Sequence, residues 1–343
     1  MMAHAKTKTA PREPKKQAEA MPSKGLPAKA LPEVTKQSAV RASALKRKPT
    51  SPQKLARAKQ NPINDLDLSL WRDYDHIETG SLWQIDARER ENGHSYDYHG
   101  NCVPQILTQL LLRYTRSCDT LLDLFAGSGT SLIEAANLGR KALGVELQPE
   151  MVRKVNQKLK TQGKHAHARV IQGNSADAAA LKPKLDKALV ALNANQANQQ
   201  ADHVGHAQNL ADFLFLHPPY ADIIKFSDDP SCLSNAKGTQ GFLDQFLAVA
   251  QLGHTVLKPG RYAAVVIGDQ YTAGELVPLG FYCMQAMQQA GFKLKAIVVK
   301  NITGNEVGKG KQANLWRYRA LAGGFYLFAH EYVLVFEKPV RPF

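Results

Sequence analysis

The 343-residue chain is poor in cysteine: only Cys102, Cys118, Cys232 and Cys283, with no two at C-x-x-C spacing. That spacing predicts no structural zinc site and no metal, and it suits a reduced, cytoplasmic setting. No run of about 18 uncharged apolar residues occurs, so no membrane span is expected. The basic N-terminus lacks an apolar h-region and does not read as a secretory signal. Its lysines outnumber its arginines and show no amphipathic periodicity, against the pattern of a transit peptide. Residues 1–60 hold seven prolines and no aromatic side chain. Such a stretch buries too little apolar surface to offset its ordering entropy, so a disordered basic tail is predicted there.

Positive charge is abundant but unevenly placed. Residues 1–60 carry 15 Lys and Arg against Glu13, Glu19 and Glu33, a net +12 of the chain's +14. The high isoelectric point therefore belongs to the tail. A polyelectrolyte arm of this kind reads either as a binder of nucleic acid phosphates or as a solubilising leader. The remaining 283 residues are nearly neutral, and with 44% hydrophobic residues overall they suffice for a full core. One domain over residues 61–343 is predicted, with 61–97 as a lead-in. That lead-in mixes Leu66, Leu68, Leu70, Trp71, Tyr74, Leu82, Trp83 and Ile85 with many charges. It reads either as a segment packed on the domain or as part of a DNA-facing surface.

Strand-like and helix-like stretches alternate through that domain. Pro104 suits a first helical turn, and Ile106, Leu110 and Tyr114 fall on one face with Leu111 beside them. The apolar Thr120-Leu121-Leu122 leads into Asp123-Leu124-Phe125-Ala126-Gly127-Ser128-Gly129-Thr130, and then into a helical run. The pattern is strand, glycine turn, helix. Glycines let the backbone approach a ligand closely, and a helix start offers free N–H groups. No third Gly or Ala completes the dinucleotide-binding G-x-G-x-x-G. Residues 142–147 read as a second strand ending in Glu146, 23 residues beyond Asp123, the distance at which an acid receives ribose hydroxyls in βαβ sites. A third strand over 168–172 exits through Gly173 to Asn174 and Asp177, candidates for an adenine edge. Residues 178–211, rich in Ala, Asn and Gln, read as an irregular insertion with one short helix. The wholly apolar 213–216 reads as a strand buried on both faces and ends in His217-Pro218-Pro219-Tyr220. Further helices are expected over 241–257 and 279–289, with strands over 262–267, 294–299 and 325–336. The last two strands are expected to form a hairpin with no helix between them. Between them 301–324 reads as a long basic loop in which Lys309, Lys311, Arg317 and Arg319 stand among Trp316 and Tyr318.

The glycine turn resembles motif I of S-adenosylmethionine-dependent methyltransferases. His-Pro-Pro-Tyr is similar to the Asp/Asn/Ser-Pro-Pro-aromatic motif of the amino-methylating DNA methyltransferases. The 98–114 stretch is similar to their motif X. The resemblance covers residues 95–338 and implies an α/β, Rossmann-like class I fold: a mostly parallel, seven-stranded sheet with helices on both faces. It implies S-adenosyl-L-methionine as cofactor, held by Asp123, Phe125, Ala126, Gly127, Gly129, Thr130, Glu146 and Asn174. It also implies methyl transfer to adenine N6 or cytosine N4 of double-stranded DNA, as in restriction-modification enzymes, by a monomer or homodimer. Acceptors on both amine hydrogens, the residue-217 side chain and the Pro218 carbonyl, localise the nitrogen lone pair. Pro219 fixes the turn, and Tyr220 stacks on a flipped base. His217 departs from the family's Asp, Asn or Ser. A neutral imidazole has one acceptor nitrogen, whereas a protonated one only donates. Lys309, Lys311, Trp316, Arg317 and Arg319 are candidate nucleic-acid contacts. An RNA methyltransferase of the transfer-RNA guanine-N2 type, and a non-catalytic DNA-binding protein that kept the fold, are the alternatives.

Overall fold

From Thr120 to Ile267, each βα step of the chain lays a further parallel strand into one sheet. In the computed structural model the described residues are 63–94, 100–194, 209–220, 229–272, 274–302 and 313–340. The strands are β1 (Leu82–Trp83), β2 (Thr120–Asp123), β3 (Lys141–Glu146), β4 (Ala168–Gln172), β5 (Ala211–Leu216), β6 (Leu257–Ile267), β7 (Gln270–Thr272), β8 (Glu275–Val277), β9 (Lys293–Asn301) and β10 (His330–Glu337). The α-helices are α1 (Pro104–Tyr114), α2 (Thr130–Asn137), α3 (Pro149–Thr161), α4 (Ala178–Asn193), α5 (Gly238–Val256), α6 (Leu279–Gln289) and α7 (Ala313–Gly323). The main sheet runs β1-β9-β10-β6-β5-β2-β3-β4, with β10 antiparallel to both neighbours. A two-residue parallel pairing of β1 with β9 makes eight strands where seven were expected. The short β7–β8 hairpin stands apart.

All six residues of β5 are buried, and their alternation builds the two cores. Phe213 and Phe215 pack with Ile106, Leu107, Leu110 and Leu111 of α1, Leu132 and Ile133 of α2, and Val155 and Leu159 of α3. Leu214 and Leu216 pack on the opposite face with α4, α5 and α6. Pro104 does open α1, as its sequence position predicts.

Several elements differ from expectation. Residues 178–193 of the insertion predicted over 178–211 form α4, whose Leu181, Leu185, Leu189 and Leu192 line one buried stripe. It is the crossover helix between β4 and β5. Strand β6 begins directly at Leu257, at the end of α5, with Pro259 and Gly260 inside it. Residues 313–323 of the predicted basic loop are helical, so a helix separates β9 from β10, although the two do pair antiparallel. The lead-in packs on the domain. Asn64 donates to the Arg113 carbonyl at 2.7 Å, and buried His94 meets Glu134 at 3.0 Å, while Thr108 donates to the same carboxylate at 2.6 Å. The predicted boundary at residue 60 lies outside the described residues.

Strand order reverses at β2, which lies between β3 and β5. In open α/β sheets the crevice for ligands forms outside the carboxyl ends of the strands at such a reversal.

Candidate active site

Asp123 closes β2 and is 2% exposed. One carboxylate oxygen accepts the Phe125 N–H at 2.8 Å, and the other accepts the Ser131 hydroxyl. Burial nevertheless pushes its acid up to about 7. Asp123 is thus bound on both oxygens by the turn it starts. Gly127 and Gly129 have φ of 48° and 80°, where L side chains are strained. A Cβ on Gly129 would also lie 2.6 Å from Val155 Cγ1, because α3 crosses close to the turn. Gly129 caps α2 and does not itself line the crevice.

Glu146, at the end of β3, accepts the Gly127 N–H at 3.0 Å on Oε2 and the Gln148 N–H at 2.9 Å on Oε1. Burial raises its acid above the ordinary value, against these backbone bonds. Each oxygen keeps a further lone pair. After β4, Asn174 turns its side-chain oxygen to the Ala176 N–H at 2.9 Å and still lines the crevice. Asp177, the other candidate at this exit, accepts the Ala180 N–H at 3.1 Å and serves as the cap of α4.

Strands β2 and β5 are neighbours with Asp123 opposite Phe215. The residues that follow them therefore emerge side by side. The result is a cleft that brings together Asp123, Phe125, Ala126, Gly127, Thr130, Glu146, Asn174, His217, Pro218 and Pro219. Residues not singled out from sequence also line it, among them Asn101, Cys102 and Ser175, and Ser231, Cys232 and Leu233 from beyond β5. Asn101 accepts the Ser128 hydroxyl, tying the segment before α1 to the glycine turn. The 98–114 run stands out in sequence through its helix, whereas its contribution to the cleft precedes that helix.

Tyr220 sits behind His217 and does not line the cleft. The two rings meet edge to face with centroids 5.8 Å apart, and His217 Nε2 is 3.4 Å from the Tyr220 hydroxyl. That hydroxyl donates to Glu331 Oε2 at 2.8 Å, and Lys300 Nζ donates to Glu331 Oε1 at 3.0 Å. Burial holds the His217 imidazole below its ordinary value, keeping it neutral. Burial and the Glu331 carboxylate raise the Tyr220 phenol well above the usual range.

Of the five predicted nucleic-acid contacts, Lys309 and Lys311 lie outside the described residues. Trp316, Arg317 and Arg319 lie on α7 rather than in a loop, with the Arg319 guanidinium 5.2 Å from the Trp316 ring centroid. Both arginines are exposed. The chain leaves β9 and enters β10 at the sheet edge where β2 and β5 end, so α7 belongs to an excursion from that edge. Among the described residues no cluster of His, Cys, Asp or Glu could hold a metal ion. Among them too, no helix is long and apolar enough to cross a membrane.

A family model described as DNA methylase of the N6/N4 type matches residues 11–157. The type II methyltransferase M.BglI of Bacillus subtilis is 30% identical over 81 residues, 23% of this chain and 22% of that protein. The type II methyltransferase M.MjaII of Methanocaldococcus jannaschii is 32% identical over 54 residues, 16% of this chain and 10% of that protein. The matched stretches thus span less than a quarter of these curated relatives' own length. Among solved structures, TrmN from Thermus thermophilus aligns with a TM-score of 0.39 at 15% identity, covering 69% of this chain and 49% of that one. Residues 11–157, which include α1, the glycine turn and Glu146, are thus similar to the N6/N4 DNA methylase family.

Proposed function

We propose that the chain transfers a methyl group from S-adenosyl-L-methionine to the exocyclic amine of adenine (N6) or cytosine (N4) in double-stranded DNA. The observation that carries this reading is one juxtaposition. The glycine turn after β2 and the His-Pro-Pro turn after β5 face a single cleft at the point where strand order reverses.

The cleft's residues fit the donor. The turn brings backbone without side chains to the cleft wall, and Glu146 retains lone pairs suited to ribose hydroxyls after its two backbone bonds. Asn174 suits the adenine edge, with Phe125, Val145 and Leu147 as apolar wall. Asp123 acts by holding the turn, through the Phe125 N–H and the Ser131 hydroxyl. When bound, the donor supplies an electrophilic methyl carbon on a sulfonium.

The protein's own task is to make a poor nucleophile attack in line. The amine lone pair is conjugated with the base, and hydrogen-bond acceptors on both N–H groups localise it. His217, neutral through burial, offers one acceptor, and the Pro218 carbonyl the second. Pro219 fixes the turn, while Tyr220, expected from sequence to stack on the base, instead backs the His217 ring from outside the cleft. Holding donor and amine together supplies most of the acceleration, as expected of a proximity catalyst. Trp316, Arg317 and Arg319 provide cations and an aromatic face at the same sheet edge and are proposed to contact DNA, with Lys309, Lys311 and the basic residues 1–60 adding phosphate contacts.

The test is expression in a host without DNA methylation, followed by sequencing of its genome with base-modification detection. A recurrent modified motif gives base and recognition sequence together. Unmodified DNA, or modification found only in RNA, would refute the proposal.

A further inference from the structure

The ring of His217 ends a chain of polar groups that runs away from the cleft into the sheet. Lys300, on β9, is 4% exposed, and its ammonium is 3.0 Å from Glu331 Oε1 on β10. The other oxygen of Glu331 is 2.8 Å from the Tyr220 hydroxyl, which is 3.4 Å from His217 Nε2. The direction of each bond follows from proton inventory. Ammonium only donates, and a carboxylate only accepts. A phenol oxygen 2.8 Å from that carboxylate needs a proton between them, and the one proton available is its own. A bond to an ionised acceptor is also about twice as strong as a neutral one, so it takes the proton ahead of the longer contact to the imidazole. The phenol oxygen then faces His217 Nε2 with lone pairs only. Two lone pairs facing each other repel, so the ring keeps its hydrogen on Nε2. Among the described residues no protein group bonds Nδ1.

We propose that Glu331, braced by Lys300, is a positioning residue that fixes the tautomer of His217: by claiming the Tyr220 proton it places the imidazole hydrogen on Nε2 and leaves the Nδ1 lone pair as the acceptor for the target amine. This rests on the methyl-transfer reading above. It also explains how histidine can replace Asp, Asn or Ser at this position. Those side chains carry an acceptor oxygen in every state, whereas a neutral imidazole offers one acceptor nitrogen, and the wrong tautomer would aim it at Tyr220. Without Glu331 the phenol is free to donate to Nε2, which drives the hydrogen to Nδ1 and turns the needed acceptor into a donor.

The experiment uses the full chain labelled with ¹⁵N-histidine, without DNA or donor. Two-bond ¹H–¹⁵N correlations distinguish the tautomers, and the His217 signals are identified by their loss in His217→Gln. The wild type should show the Nε2–H form. Glu331→Leu should shift the population to Nδ1–H and lower kcat for methyl transfer by about 10- to 100-fold, with KM for the donor unchanged. In a Tyr220→Phe background the same Glu331 change should leave the tautomer unaltered, because no hydroxyl remains to redirect. The near-isosteric pair Lys300→Met with Glu331→Gln, a neutral acceptor with no ammonium to compete for it, should restore the wild-type tautomer and most of kcat. An Nδ1–H form in the wild type would overturn the proposal. So would a Glu331→Leu protein with unchanged tautomer and kcat, or loss of activity in the neutral pair as severe as in Glu331→Leu. A wild type that holds the Nε2–H form yet methylates no nucleic acid would leave the ring-orienting chain standing and bring down the methyl-transfer reading instead.

Discussion

Asp123→Asn tests how the glycine turn is held. The carboxyl is 2% exposed, and burial pushes its acid up to about 7 from the ordinary 3.8. Between those values the folded chain binds a proton that the unfolded chain has already lost. The sign follows: stability is greatest below about pH 4 and declines as pH rises through 7, because the native carboxyl must then ionise inside the protein. Three units correspond to about 4 kcal/mol at roughly 1.4 kcal/mol each, an upper figure that relaxation of the turn reduces. Asparagine keeps the shape and both hydrogen bonds. Its oxygen accepts the Phe125 N–H, and its amide donates to the Ser131 hydroxyl oxygen. It carries no charge to bury. Urea denaturation of both proteins at half-unit steps from pH 5 to 8 should therefore give diverging profiles. The wild type should lose about 1–3 kcal/mol relative to Asp123→Asn on going from pH 5 to 8. Asp119, also pushed up to about 6 chiefly by burial, is common to both chains and cancels in the difference. Parallel profiles, within about 0.5 kcal/mol of a constant offset, would refute the argument that Asp123 is the charge the turn pays to bury.

Gly129→Ala should destabilise the fold by about 1–3 kcal/mol, from positive φ and the approach to Val155 together, and weaken donor binding by titration calorimetry. An unchanged melting temperature would contradict the geometry. His217→Ala should abolish methyl transfer while donor affinity stays within about twofold. Wild-type kcat should stay flat down to pH 6.5 and fall only in more acid solution, since burial holds the imidazole below that ordinary value; a fall beginning above pH 7 would show a protonated ring instead. Arg317→Ala with Arg319→Ala should lower the slope of log affinity against log salt for duplex DNA by about 1–2, measured by fluorescence anisotropy. An unaltered slope would remove α7 from the DNA surface.

Much of the cleft was legible because its parts sit at strand ends with distinctive chemistry. Gly127 and Gly129 mark a turn that only glycine tolerates, Glu146 closes an apolar strand, and the prolines after Leu216 stop another. What escaped was spread through space rather than along the chain. Lys300 and Glu331 reach Tyr220 across 80 and 111 positions, and nothing local marks them. Helix α4 was readable in principle from its leucines at 181, 185, 189 and 192. Its Ala-rich composition and Pro183 near the start hid that period. Strand β1 is two residues long between the polar Ser81 and Gln84, too short for any alternation to show. Asp177 looked like a ligand contact because it is acidic and follows a strand, but the same properties make a helix cap, and the first-turn N–H of α4 claims it.

The lead-in limits where the folded part of the chain can be cut. Trp83 pairs with Lys300 across β1 and β9, Asn301 uses its side-chain oxygen to accept the Ile85 N–H at 2.7 Å, and Arg88 donates to the carbonyls of Asn101 and Cys102 at 3.0 and 2.6 Å. The first two contacts seal the sheet margin beside the ammonium that braces Glu331, and the last two buttress the cleft wall. A shortened chain starting at residue 100 would keep the glycine turn and the His-Pro-Pro-Tyr turn and lose the outer scaffolding of both. It would also bare a β9 edge able to recruit a strand from another molecule, so a cut made at the motif boundary should produce a poorly active and self-associating protein.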